Sequence, residues 1–288
     1  MRVQVRDIRL YFDVEGMGLV PDGPTMRERP TIVCLHGGPG FDHSTLKPFL
    51  APLADSAQLV FLDHRGQGRS DESSPDRWNL DTWIEDLRGF CEVLGIEKPT
   101  ILGQSFGGMV ALGLAIRHPE LPGKLIVSSS TARFREDRAL AMFERLGGAE
   151  PRRVAERFFH DPNHESFEAF MTTCLPLYTQ TPPDPDVRAR MRMRPEVGFH
   201  FFRDEIRTYD WFGELDRIRV PTLVLAGELD PITTVADHEE MVAAIQGSRL
   251  EVFQDAGHGV FRDKPEDALA VIRDFVLAPV ADSAPTST

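Results

Sequence analysis

The sequence predicts an α/β fold in which a mostly parallel sheet, flanked by helices, is interrupted by one helical insertion. Three observations carry that prediction. Six short apolar runs bounded by turn residues, at 31–35, 59–63, 100–102, 125–128, 222–226 and 250–253, have the composition of buried parallel strands. Between them lie apolar residues at helical spacing, as in Leu80, Trp83, Ile84, Leu87, Phe90, Cys91 and Leu94. About ninety residues between Ser130 and Val220 hold helix-like patterns but no strand run, far more than one crossover needs.

In chain order, Val3, Val5, Ile8, Leu10 and Phe12 alternate in two runs around Arg6-Asp7, which predicts an antiparallel pair opening the sheet. With the six later runs this makes eight strands. The Gly- and Pro-rich stretch 15–30 reads as loop, and helices are expected over 81–94 and 109–116. Strand–helix alternation assigns 1–130 and 220–280 to one core, and 131–219 reads as a helical cap inserted into it. Residues 281–288 are small and polar, offer nothing to bury, and are expected to form a flexible tail.

Composition removes several classes of function. At 288 residues, with 41% hydrophobic and 27% charged side chains, the chain can bury a large core without disulfides or metal. Asp and Glu outnumber Lys and Arg by 45 to 32, a formal charge of −13, which argues against a nucleic-acid partner or an anionic membrane surface. No run approaches the roughly 20 apolar residues of a membrane helix, and residues 1–10 lack a signal-peptide pattern. Cys34, Cys91 and Cys174 are far apart and odd in number, so reduced thiols in a cytoplasmic protein are expected, with neither zinc nor another metal or cofactor. The dense arginines between Arg133 and Arg219 read as solvated helix surface. The sequence carries no sign of its oligomeric state.

The strongest chemical signal is Gly103-Gln104-Ser105-Phe106-Gly107-Gly108, a GxSxG turn between the strand at 100–102 and the helix at 109–116. Strand, sharp turn and helix expose a serine hydroxyl above a sheet, where it can act as a nucleophile. Such a hydroxyl needs a base, and the base needs a third group to orient it. His258 follows the last strand run within Asp255-Ala256-Gly257-His258-Gly259, on the carboxyl edge where open α/β sheets bind ligands. Asp230 follows the preceding run within Gly227-Glu228-Leu229-Asp230-Pro231, giving the chain order Ser, Asp, His. Glu228 competes for the acid role but lies nearer the strand, with its side chain expected toward the core, so Asp230 is preferred.

His36-Gly37-Gly38-Pro39-Gly40 follows the strand at 31–35, and glycines there let backbone N–H groups approach a developing oxyanion. Pro39 has no N–H, so the expected donors are Gly38, with Gly37 as its neighbour, and Phe106 after the serine. A phosphate-binding loop is the rival reading, but no lysine follows in Walker spacing. The stretch from Asp63 to Ser70 reads as a structural turn whose arginines brace neighbouring loops.

Together these residues resemble the α/β-hydrolase superfamily and, within it, the proline iminopeptidase-like group, which carries HGGPG, D-x-R-G-x-G-x-S, GxSxGG and late GxxD and GH motifs. They stand here at 36–40, 63–70, 103–108, 227–230 and Gly257-His258, so the resemblance spans 1–130 and 220–277. It implies a cofactor-free serine hydrolase with a helical cap, acting on a small-molecule or short peptide substrate. In the aminopeptidase members it implies release of an N-terminal proline or other residue, the free amine being held by cap carboxylates and an acid near the catalytic aspartate. Here Pro231 follows Asp230, and Glu196, Asp204, Glu205 and Asp210 are the cap candidates. Glu205 from that set is expected to contact substrate, with Phe199, Phe202, Tyr178 and Trp211 from a cap rich in aromatic side chains.

The leading expectation is therefore ester or amide hydrolysis of an apolar substrate through an acyl-enzyme. A peptidase that trims N-terminal residues is the first alternative. A non-catalytic binding module on the same fold is the second, against which the Ser, Asp and His set argues. Epoxide hydrolases and haloalkane dehalogenases use an aspartate at the elbow, where this chain has Ser105.

Overall fold

The computed structural model describes residues 1–182 and 184–279, so the tail expected at 281–288 lies outside the described residues. Arg2–Val5 (β1) and Ile8–Glu15 (β2) pair antiparallel, and a separate hairpin of Leu19–Asp22 (β3) and Thr25–Glu28 (β4) follows. The remaining strands are Thr31–Leu35 (β5), Gln58–Leu62 (β6), Thr100–Gln104 (β7), Lys124–Ser128 (β8), Thr222–Gly227 (β9) and Arg249–Phe253 (β10). Eight strands form one sheet in the order β1-β2-β6-β5-β7-β8-β9-β10, parallel from β6 onward. The stretch 15–30, expected as loop, instead contains β3 and β4. These strands turn at Gly23-Pro24 and expose nearly every side chain, so they lack the alternation that marks a half-buried strand.

The sheet separates two cores. Along β5 the pleat sends Val33 and Leu35 into one cluster and Ile32 and Cys34 into the other. The helices Leu80–Leu94 and Phe106–Arg117 pack into the first cluster, and Pro265–Leu277 into the second. Helix Leu80–Leu94 has both ends specified locally: the Asn79 side chain accepts from Thr82 N–H at 2.8 Å, and Gly95 terminates it in the left-handed region.

Between β8 and β9 lie the helices Glu136–Gly147, Ala149–His160, His164–Thr173, Pro185–Arg190 and Pro195–Arg203, with an aromatic core of their own around Phe143, Phe158, Phe159 and Phe170. The end of the span expected for the cap, 131–219, packs on the rest of the molecule. Ile206, Tyr209, Trp211, Leu215 and Ile218 are buried in the main core, and an antiparallel bridge joins Arg133 to Asp210.

The turn after β6 is a brace. Arg65 is buried and donates to both oxygens of Asp86 at 2.5 and 2.9 Å and to Asp7 at 2.6 Å, tying the turn to helix Leu80–Leu94 and to the β1–β2 connection. Cys34, Cys91 and Cys174 are buried and free. Among the described residues, no helix is long and apolar enough to cross a membrane, and no three His, Cys, Asp or Glu side chains gather as metal ligands.

Candidate active site

Ser105 stands between β7 and helix Phe106–Arg117 with φ 52° and ψ −120°, a conformation that costs a non-glycine residue about 1–3 kcal/mol. Its surroundings hold it there. Ser105 N–H donates to the Ser128 carbonyl at 2.9 Å, and its own carbonyl accepts from Gly108 N–H at 2.8 Å and from Ser130 Oγ at 2.6 Å. The elbow also requires strand and helix to touch: a Cβ on Gly103 would sit 2.3 Å from the Gly107 carbonyl oxygen, and one on Gly107 would sit 2.4 Å from that of Leu35.

Asp230 and His258 meet across adjacent strand ends. Asp230, fully buried in the turn after β9, accepts from Ile232 N–H at 2.8 Å, Thr233 N–H at 3.0 Å and Thr233 Oγ1 at 2.8 Å. Its Oδ2 lies 2.8 Å from His258 Nδ1, in the loop after β10. Burial works to raise the Asp230 pKa, but the charge and hydrogen bond of His258 and the Thr233 N–H outweigh it and hold the carboxyl below its ordinary value. An ionised carboxylate only accepts, so Nδ1 carries a proton and donates it to Asp230. Glu228 does not turn into the core as expected: its Oε2 accepts from Asp255 N–H at 3.2 Å in the neighbouring loop.

The loop after β5 closes on the serine. A Cβ on Gly37 would fall 3.3 Å from Ser105 Cβ, and Gly37, Gly38, Ser105 and His258 all line one cavity of about 220 Å³. Phe106 opens a helix, so its N–H has no acceptor within that helix and points from the positive end of the dipole. Among the described residues, no hydrogen bond joins Ser105 Oγ to the imidazole.

The insertion supplies the cavity's far wall with aromatic side chains, among them Phe158, Phe167 and Phe170. Of the substrate contacts expected from the sequence, Phe199, Phe202 and Tyr178 line it, and the Tyr178 ring centre lies 5.0 Å from that of His258. Glu205 and Trp211 do not. Glu205 Oε1 accepts from Leu80 N–H at 2.7 Å, binding a free N–H at the start of helix Leu80–Leu94, and burial pushes its carboxyl pKa up against that bond. Trp211 packs against helix Phe106–Arg117 in the main core, with the Arg117 guanidinium 5.1 Å from its ring centre. Glu196, Asp204 and Asp210 are exposed outside the cavity. No Asp or Glu lines the cavity among the described residues.

Three residues make contacts at the site that their sequence positions did not announce: Asp263 lies outside every motif, and Gln104 and Gly40 lie within motifs read for other roles. Asp263 accepts from Gly257 N–H at 2.8 Å, beside His258, and from Gln180 and Thr181 N–H groups at 3.0 and 2.9 Å, so one carboxylate fastens the insertion to the histidine loop. Gln104 Nε2 donates to the His258 carbonyl at 3.4 Å. Gly40 accepts from Arg194 N–H at 2.7 Å and its own N–H donates to Gln67 Oε1 at 2.6 Å, docking the insertion on the glycine loop.

A sequence model described as the alpha/beta hydrolase fold matches residues 30–265. The chain is 29% identical over 267 residues to the proline iminopeptidase of Lactobacillus helveticus (strain DPC 4571), covering 86% of this chain and 90% of that relative. It superimposes on the crystal structure of proline iminopeptidase from Mycobacterium smegmatis with a TM-score of 0.75 at 24% identity, over 96% of this chain and 97% of the other. The corresponding values for an esterase from Exiguobacterium antarcticum are 0.70 and 23%, over 96% and 99% of the two chains.

Proposed function

The chain belongs to the α/β-hydrolase fold family, and from that membership we propose a serine hydrolase that cleaves an ester or amide of a small, largely apolar substrate through an acyl-enzyme. The observation that carries the reading is the 2.8 Å contact of Asp230 with His258 Nδ1 on the sheet edge where Ser105 is held in a strained turn. Ser105 Oγ attacks the carbonyl carbon while His258 Nε2 takes its proton. Asp230 fixes the tautomer and stabilises the imidazolium. The oxyanion is met by the N–H groups of Phe106 and Gly38, with Gly37 beside them. His258 then protonates the leaving alcohol or amine, activates water, and returns the proton to Ser105 as the acid departs. The approach of Ser105 Oγ to Nε2 tightens when substrate is bound.

Phe199, Phe202 and Tyr178 shape an apolar subsite. Release of an N-terminal proline, the activity in the name of the Lactobacillus helveticus relative, is the second reading. It is disfavoured because no carboxylate among the described residues lines the cavity, and a buried ammonium needs one. A cytoplasmic location accords with the three free cysteines.

A parallel assay tests both readings, using a short-chain p-nitrophenyl ester, proline p-nitroanilide and its N-acetyl form. We expect ester turnover that falls at least about 10³-fold in Ser105→Ala, with little on the free-amine anilide. Full activity in Ser105→Ala overturns the mechanism, and selective turnover of the free-amine anilide replaces the esterase reading with the peptidase one.

A further inference from the structure

The cavity beside Ser105 contains an unmatched positive charge. Arg262 lies in the short helix Val260–Asp263, four residues after His258, and lines the cavity with Phe49. Its guanidinium carbon is 5.2 Å from the centre of the Phe49 ring, and its backbone N–H donates to the Gly259 carbonyl at 2.8 Å. Among the described residues, the guanidinium has no carboxylate within ion-pair distance and donates no hydrogen bond, and no other Lys or Arg lines the cavity. The adjacent Asp263 is occupied by the Gly257, Gln180 and Thr181 N–H groups. Burial lowers the Arg262 pKa, against the pull of Asp263 and Asp184, so the partly buried cation has lost water and has the face of the Phe49 ring, not a carboxylate, beside it.

We propose that Arg262 is an anion subsite of the substrate cavity, so that the preferred substrate is an apolar ester or amide that also carries a carboxylate or equivalent anion. The ester or amide part rests on the serine-hydrolase reading; the anion subsite does not. A guanidinium partly withdrawn from water bonds a carboxylate more strongly than an exposed one does. Aromatic walls alone would reject such a group, because a buried carboxylate without a partner is strongly disfavoured. The chain's net charge of −13 supplies no general attraction for anions, so their selection depends on a local cation.

Binding to the Ser105→Ala protein tests the subsite without catalysis. By calorimetry, 4-phenylbutyrate should bind at least about tenfold more tightly than its uncharged amide, and that preference should vanish in Ser105→Ala/Arg262→Met, where the methionine keeps an apolar stem against Phe49. Arg262→Lys in the same background should retain part of it, separating charge from packing. Kinetically, the ratio of kcat/KM for mono-p-nitrophenyl adipate over p-nitrophenyl hexanoate should collapse toward one in Arg262→Met. Equal binding of carboxylate and amide, binding of neither, or a preference that survives Arg262→Met overturns the subsite. Failure of the parent protein to cleave any ester or anilide instead overturns the hydrolase reading and leaves the binding comparison to decide the subsite.

Discussion

Asp230 and Glu228 stand two residues apart beyond β9, yet only Asp230 reaches the histidine. The reason is local: the turn at Ile232 and Thr233 wraps its N–H groups around the Asp230 carboxylate, whereas Glu228 reaches sideways to the next loop. Asp230→Asn is therefore expected to lower kcat by about 10⁴, the scale of a wrong imidazole tautomer, while Glu228→Gln changes it less than about threefold. Steady-state ester kinetics on the two variants separate these outcomes. A loss in Glu228→Gln comparable to that in Asp230→Asn would move the acid role.

At the scale of elements, two attachments hold the site together. Asp263 fastens 180–181 of the insertion to the histidine loop, so Asp263→Ala should lower stability by about 1–2 kcal/mol. It should also lower kcat and speed limited proteolysis within 175–182. Unchanged kcat with unchanged proteolysis would show that the carboxylate positions nothing. The second attachment is Arg65 with Asp86, nearly solvent-free on both sides at 2% and 3% side-chain exposure. Removing Asp86 leaves the buried Arg65 paired only with the half-exposed Asp7, and Asp86→Ala should cost up to about 3 kcal/mol in urea unfolding.

At the scale of the whole molecule, stability should depend on pH through buried histidines. His36, His64 and His238 are fully buried and burial lowers each pKa from 6.5, His64 the furthest. Below pH 6.5 the unfolded chain binds protons that the folded chain refuses, so this stabilisation is complete above that pH and declines as pH falls toward the folded-state values. His64 alone contributes a slope of up to about 1.4 kcal/mol per pH unit. The lowered carboxyls of Asp63 and Asp230 contribute above 3.8 and are lost as pH falls through their own folded values, so they act in a more acidic window. Urea unfolding at pH 7.5 and 5.5 should show lower stability at pH 5.5, with a flatter dependence in His64→Gln. An equally steep dependence in that variant would remove His64 as a source.

The sequence by itself determined the strand sequence and the strand-end placing of Ser105, Asp230 and His258, because buried strands and the elbow leave local marks: apolar runs, obligatory glycines and short loops. The β3–β4 hairpin was hidden since exposed strands bury no face and show no alternation. Only tertiary structure decided that Glu205 caps a helix, that Trp211 fills the core, and that Arg262 and Asp263, adjacent in sequence, serve the cavity and the insertion. Side-chain direction in short helical segments has no periodic signal. A charge acquires its role from what lies opposite it, and those partners come from elements tens to more than a hundred residues away.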